Sequence, residues 1–182
     1  MRALILGLAI VAAAGPALAG MKVTSPDFKN GGRMPQAEAF NSFGCTGGNQ
    51  SPALAWSGEP KGTKSFAITM FDPDAPTGSG FWHWTVFNIP PGVHSLPADA
   101  GAEGSSALPA GAGEGRDDYG FSHYGGPCPP PGRAHHYHIT VYAVKVAKLP
   151  LTADSSGAVV GFNLHFNTLA KGQIVGLYGR KK

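Results

Sequence analysis

The chain has 182 residues and a formal net charge of +3, from 14 basic and 11 acidic side chains. So small an imbalance gives no electrostatic reason for nucleic acid or an anionic membrane as the main partner. The 27 glycines and 16 prolines are scattered as turn signals and form no low-complexity block, and the length suits one domain with an adequate core.

Met1-Arg2, an apolar run over 3–14, and Gly15-Pro16-Ala17-Leu18-Ala19 open the chain. A charged start, an apolar stretch too short for a bilayer and an A-x-A ending form the pattern of a secretory signal peptide. The expectation is a signal peptide over 1–19, a single domain over 20–182, and export to a periplasmic or secreted location, with no transmembrane segment after cleavage.

Beyond that leader, 21–28 reads as a first strand stopped by Asn30-Gly31-Gly32, and 36–41 carries little order signal. Residues 43–52 read as a long loop. Leu54-Ala55-Trp56 is a short strand, and 65–71 (S-F-A-I-T-M-F) is a stronger one. It leads into Asp72-Pro73-Asp74-Ala75-Pro76, where each pre-proline residue is driven to extended geometry. Asp72 and Asp74, two apart in an extended chain, are expected to point roughly one way. After Thr77-Gly78-Ser79-Gly80 turns the chain, 81–89 is an aromatic and β-branched strand. Strict alternation puts His83 with Phe81 and Thr85 on one face, and Trp82, Trp84 and Val86 on the other.

Residues 98–115 are rich in Ala, Gly and Ser and read as surface loop. The next strong strand is 135–144 (H-H-Y-H-I-T-V-Y-A-V). There His135, Tyr137, Ile139 and Val141 share one face, and His136, His138, Thr140 and Tyr142 the other, with His136 and His138 read as solvent-side residues. One helix is expected over 159–171 and a closing strand over 173–178, with Arg180-Lys181-Lys182 as a solvated basic tail. Short strands, Gly/Pro turns and little helix indicate a mainly antiparallel β-sandwich.

Cys45 and Cys128 are the two cysteines. In an oxidising compartment they could be bridged, which would stabilise by several kcal/mol on the chain-entropy model. Two buried thiols, or one reactive thiol, are the alternatives.

Asp72, Asp74, His83, His135 and Tyr137 admit three chemistries. An anion site would use imidazoles and a phenol as donors, aided by N–H groups of the Gly125-Gly126 turn and by carboxylates that orient the rings or keep them charged. A metal site is weaker, because the His135–His138 cluster splits over two strand faces. Hydrolysis by paired carboxylates or a Ser–His pair lacks a G-x-S-x-G elbow. Singly, each aspartate is equally well an ordinary turn former, and the tryptophans are better explained as core.

The stretches F-D-P-D-A-P-T-G-S-G-F-W-H-W-T-V-F-N-I-P and Y-G-G-P-C-P-P-P-G-R-A-H-H-Y-H-I-T-V-Y-A-V, with the loop C-T-G-G-N-Q-S-P-A-L-A-W, resemble the phosphatidylethanolamine-binding protein family. The likeness is to its bacterial and archaeal Raf-kinase-inhibitor-like branch and runs through nearly all of 22–180. The resemblance implies a β-sandwich of antiparallel, Greek-key type with few short helices. It also implies a small pocket for phosphate or a phospho-headgroup. On that basis Asp72 and Asp74 correspond to the pocket aspartates, Pro76 to the rim and His83 to the first histidine. Gly126 corresponds to a backbone donor, and His135 and Tyr137 to the second histidine and the tyrosine. The family usually has His-Arg-Tyr where this chain has His135-His136-Tyr137, which puts the arginine's ion pair in doubt. The C-terminal segment that covers the pocket in eukaryotic relatives is short here.

The functional expectation is an exported binding protein for a small anionic ligand, with no cofactor, no metal and no catalytic residue assigned. An inhibitor or interaction module for an exported enzyme is the alternative, followed by a hydrolase or lyase using the His/Asp pocket.

Overall fold

A computed structural model describes residues 20–181, so the expected signal peptide over 1–19 lies outside the described residues. The strands are β1 (Lys22–Thr24), β2 (Gly32–Arg33), β3 (Leu54–Ser57), β4 (Ser65–Asp72), β5 (Phe81–Ile89), β6 (Ser95–Leu96), β7 (Gly113–Glu114), β8 (His135–Val144) and β9 (Thr168–Tyr178), with the helix α1 (Gly157–Asn167) between the last two. They form a three-stranded sheet, β1-β3-β6, and a six-stranded sheet, β2-β9-β8-β4-β5-β7. Pairing is antiparallel except where β2 runs parallel to β9. The protein is mainly β, as expected.

Two layers of core explain the composition of the central strands. Val23, Leu54, Trp56 and Leu96 of the small sheet meet Phe66, Ile68, Met70, Ile139 and Val141 of the large one. Behind the large sheet, Ala67, Phe87 and Val144 pack under Val160 and Leu164 of α1. Strand β4 is therefore buried on both faces, which is why its sequence is mostly apolar and does not alternate. Strand β8 follows the expected alternation near its start, where His135 and Tyr137 are buried and His136 is exposed.

Strand β5 departs from the simple reading. Phe71 pairs with Trp82 and Met70 with Trp84, so His83 is an extra residue opposite neither. This is a β-bulge, and it breaks the period of two. Trp84 and Val86 lie in the sandwich core, whereas Thr85 stands against Gly115 and Val160 on the helix side. Trp82 also faces that side, against Gly157. The faces expected from strict alternation are thus wrong: His83 does not share a face with Thr85, nor Trp82 with Trp84. The bulge lets His83 and Trp84 both serve the inner layer.

Several boundaries also move. The first strand covers only Lys22–Thr24, and Gly32, the last residue of the expected stop, already begins a second strand, Gly32–Arg33. The segment with little order signal holds a short 3-10 turn, Gln36–Glu38, that buries Glu38. The Ala/Gly/Ser-rich stretch is not merely surface loop, since it buries Ala100, sets Gly101 against Trp84 and contributes β7. The helix, capped by Ser156, stops at Asn167, and β9 begins at once with Thr168. Residues 168–171 have no decisive local preference, and pairing with Tyr142–Val144 of β8 settles them as strand.

Candidate functional site

At one end of the large sheet, β4, β5 and β8 converge on a cavity of about 410 Å³. Its floor is Asp72, His83, His135 and Tyr137, and its rim includes Pro76, Cys128 and Arg180. The polar floor is built by the ends of three neighbouring strands, two of which were read correctly from sequence.

Asp72 closes β4 and is 2% exposed. Its Oδ1 accepts the N–H of Asp74 at 2.8 Å, an Asx turn that ends the strand. Its Oδ2 lies 2.7 Å from Nδ1 of His135, also buried. The turn separates the two aspartates, contrary to the expectation that they point one way. Asp74 faces out of the cavity, where Oδ2 accepts from the backbone N–H and Nδ1 of His136, at 2.9 and 2.6 Å. Arg133 approaches its Oδ1 at 3.3 Å. The His136 hydrogen bond is the main reason the Asp74 carboxyl is held down to about 2. His136 therefore occupies the position of the family's usual arginine and takes an aspartate partner there.

His83 sits on the bulge with 3% exposure. Its Nδ1 is 2.8 Å from the carbonyl oxygen of Gly125. A carbonyl only accepts, so Nδ1 carries the hydrogen and, in the neutral ring, Nε2 is a bare acceptor. Burial pushes the ring down to about 4, outweighing the Gly125 and Gly126 carbonyls and the Asp72 charge. His83 is thus not the donor expected from the sequence. Tyr119 and Tyr137 flank it edge-on, at centroid distances of 5.6 and 5.1 Å. The hydroxyl of Tyr137 is sealed from solvent with no partner at hydrogen-bond geometry, and burial, followed by the nearby Asp72 carboxylate, pushes its ionisation far up, so it stays an O–H donor.

Gly126 does not offer its N–H to the cavity. That N–H donates to Oδ1 of Asn49 at 2.8 Å, and the Gly125 N–H donates to the His83 carbonyl at 3.0 Å. Both donors of the expected glycine turn are used within the protein. Gly126 instead allows close packing, since a Cβ there would collide with the Glu38 carbonyl oxygen. His138 lies outside the cavity and meets Gln173 at 3.1 Å.

Three rim features escaped the sequence reading. Arg180, assigned to a solvated tail, folds back so that its Nη2 donates to the Gly44 carbonyl at 2.6 Å. Asp118 reaches the rim from the loop after β7, with Oδ2 accepting the Trp82 N–H at 2.8 Å. Tyr119 stacks on Phe40 at 4.2 Å and forms an aromatic wall with Phe81. No local motif announces any of them.

Cys45 and Cys128 are bridged, with Cα atoms 5.9 Å apart. The bridge ties the loop carrying Phe43 and Gly44 to the proline-rich segment on the rim. Among the described residues, no three His, Cys, Asp or Glu side chains group as a metal ligand set, and no helix is long and apolar enough to cross a membrane.

The model of the phosphatidylethanolamine-binding protein family matches residues 24–179. The UPF0098 protein YbcL of Escherichia coli K12 is 52% identical over 161 residues, covering 88% of each chain. Its crystal structure, described as a new member of the mammalian PEBP family, superposes with a TM-score of 0.88 over 90% of this chain and all of that one. LppC of Mycobacterium tuberculosis, named as a candidate lipoprotein, is 36% identical over 143 residues, 78% of this chain and 64% of its own. A family model over most of the chain, a close relative and a shared fold agree: the chain belongs to the phosphatidylethanolamine-binding protein family.

Proposed function

We propose that this is an exported binding protein whose cavity takes a small phosphate-type anion, free or as a phospho-headgroup. The observation that carries the reading is the set of unspent polar atoms on the cavity floor. Tyr137 Oη has no partner, and neither His83 nor His135 uses Nε2 within the described residues. Buried polar atoms are normally satisfied, so the unpartnered Tyr137 hydroxyl, beside two imidazole nitrogens left free on the same cavity lining, calls for a ligand. Asp72, His83, His135, Tyr137 and Pro76 are assigned to that ligand, whereas Asp74 and Gly126 shape the site from outside. Arg180 adds a cation on the rim.

Export is supported by the leader-like residues 1–19 and by the Cys45–Cys128 bridge, which suits an oxidising compartment. The candidate-lipoprotein name of LppC points the same way. A role as an interaction module is the second reading, favoured by Phe43, which is 72% exposed beside the cavity.

Thermal unfolding with and without phosphate tests the anion reading. A ligand at a hundredfold excess over Kd adds about 2.7 kcal/mol, or roughly 5–10 °C for a domain of this size. His135→Ala should abolish most of that rise. An unchanged wild-type midpoint in millimolar phosphate counts against the anion site and leaves the Phe43 surface as the feature to pursue.

A further inference from the structure

We propose that the outer face of α1, with the lysines gathered around its C-terminal end, is a docking surface for an anionic lipid bilayer. The proposal goes beyond the anion-site reading, and none of its residues lines that cavity.

The helix itself is the starting point. Gly157–Asn167 (G-A-V-V-G-F-N-L-H-F-N) holds no aspartate, glutamate, lysine or arginine. Its inner side is spent on the fold, with Gly157 against Trp82, and Val160 and Leu164 in the core behind the large sheet. On an ordinary surface helix the opposite side would be polar. Here it carries Val159, Phe162 and Phe166, whose spacings of three and four make one stripe. Phe162 and Phe166 are 65% and 57% exposed and meet edge to face at 5.1 Å. Leu169, exposed at the start of β9, extends the stripe. Among the described residues, four of the five large apolar side chains that stand exposed belong to this patch. A helix apolar on both sides is one that something covers.

Charge indicates what covers it. Lys61, Lys64, Lys145, Lys148 and Lys171 are all exposed, and the fold brings them to the end of the large sheet away from Asp72 and His135. The N–H of Lys145 donates to the Asn167 carbonyl at 2.9 Å, and that of Lys64 to the Val144 carbonyl at 2.8 Å. Lys171 borders a hollow shared with His165 and Leu169. Lys61 adjoins Gly62, whose Cβ position lies 3.9 Å from Leu169. Lys148 precedes Leu149, whose N–H donates to Asn88 near the end of β5. The acids within 59–64 and 142–171 are Glu59 and Asp154. Glu59 is bonded to His94 at 2.9 Å, and Asp154 precedes the other end of the helix. The small net charge hides this segregation, because the lysines come from three separate stretches of sequence.

An apolar stripe bordered by lysines matches the boundary of an anionic bilayer, where rings enter the acyl region and ammonium groups stay at the phosphates. A second copy of the chain fits less well. It would bring the same stripe with the same excess of lysine over acid, so a contact between copies leaves the charge uncompensated. The start of the domain lies at this end as well, since the Met21 carbonyl sits against Gly172, next to Lys171. The apolar run over 3–14 thus joins the domain beside the proposed surface.

The test is co-sedimentation of the folded domain, residues 20–182, with vesicles of phosphatidylcholine plus phosphatidylglycerol and with vesicles of phosphatidylcholine alone. Binding to the mixed vesicles is expected to be at least about tenfold tighter than to the neutral ones, and to weaken as salt rises. Phe162→Ser/Phe166→Ser should lower partitioning at least about tenfold, and Lys145→Gln/Lys171→Gln should lower it by a similar factor. All six side chains and their neighbours on the stripe are exposed, so both double variants should melt with the wild type. His135→Ala should bind the mixed vesicles as wild type does; loss of binding there would trace it to headgroup capture in the cavity and overturn the proposal. Equal binding by wild type and the phenylalanine variant overturns it too, as does no binding to the mixed vesicles. Sedimentation equilibrium without lipid checks the other occupant: a wild-type dimer that Phe162→Ser/Phe166→Ser turns into a monomer assigns the stripe to a second copy and rules out the bilayer.

Discussion

His83 should stay neutral to about pH 4, and the fold should lose stability in acid because of it. Its ring is depressed from 6.5 to about 4 by burial. A base whose folded value lies below its unfolded one contributes fully above pH 6.5, and that contribution drains away as pH falls toward 4. At 1.36 kcal/mol per pH unit the loss is about 3 kcal/mol between pH 7 and pH 4, with no discount for solvent because the ring is 3% exposed. Urea melts of wild type and His83→Gln across that range isolate the effect, since the amide does not titrate. The stability advantage of wild type over the variant should shrink by about 3 kcal/mol on acidification. Imidazole nitrogen NMR on the wild type should show hydrogen on Nδ1 throughout. A His83 midpoint near 6.5, or hydrogen on Nε2, would refute both the burial argument and the acceptor role drawn from it.

Four further substitutions have expected outcomes. Glu38 is buried with both carboxylate oxygens unpartnered, and burial raises it to about 8. Here the folded value lies above the unfolded one, so stability is lost as pH rises from about 4.5 through 8. Glu38→Gln should therefore gain roughly 2 kcal/mol more at pH 7 than at pH 5 in paired urea melts; equal gains would mean that the carboxyl is solvated. Replacing Cys45 and Cys128 together by serine opens a loop with a sequence separation of 83, which should cost about 4 kcal/mol in a denaturant melt; a cost below 1 kcal/mol would mean that folded-state strain offsets the loop entropy. Asp74→Asn should leave phosphate affinity within about twofold, because Asp74 holds His136 and Arg133 outside the cavity. Asp72→Asn should weaken binding at least about 10-fold, as His135 loses the carboxylate that orients its ring. Equal effects of the two substitutions would contradict the division between them.

What the sequence disclosed follows from how local each cause is. Strands β5 and β8 could be bounded to the residue, because aromatic and β-branched runs between Gly/Pro stops carry their own signal. The pairing of His135 with Tyr137 on one face needed only the period of two. The orientation of His83 was not readable, since the bulge arises from the register of β5 against β4 and leaves no mark in either strand alone. The same holds for Gly126, whose N–H is claimed by Asn49, 77 residues away. Arg180 looks like part of a basic tail until the chain returns it to Gly44, 136 residues earlier. The boundary between α1 and β9 is a competition between weak local preference and strong cross-strand pairing, and only the second is long-range. The candidate site was therefore legible as a set of residue types and misread in its hydrogen-bond polarity.

The central claim is that a phosphate-type anion sits among His83, His135 and Tyr137, and imidazole NMR during a phosphate titration at pH 6 addresses it most directly. The account predicts saturable shifts of the His83 and His135 ring signals, with His94, His123 and His165 unmoved because they lie outside the cavity lining. Shifts confined to those outer histidines, or uniform small shifts that never saturate, would contradict it.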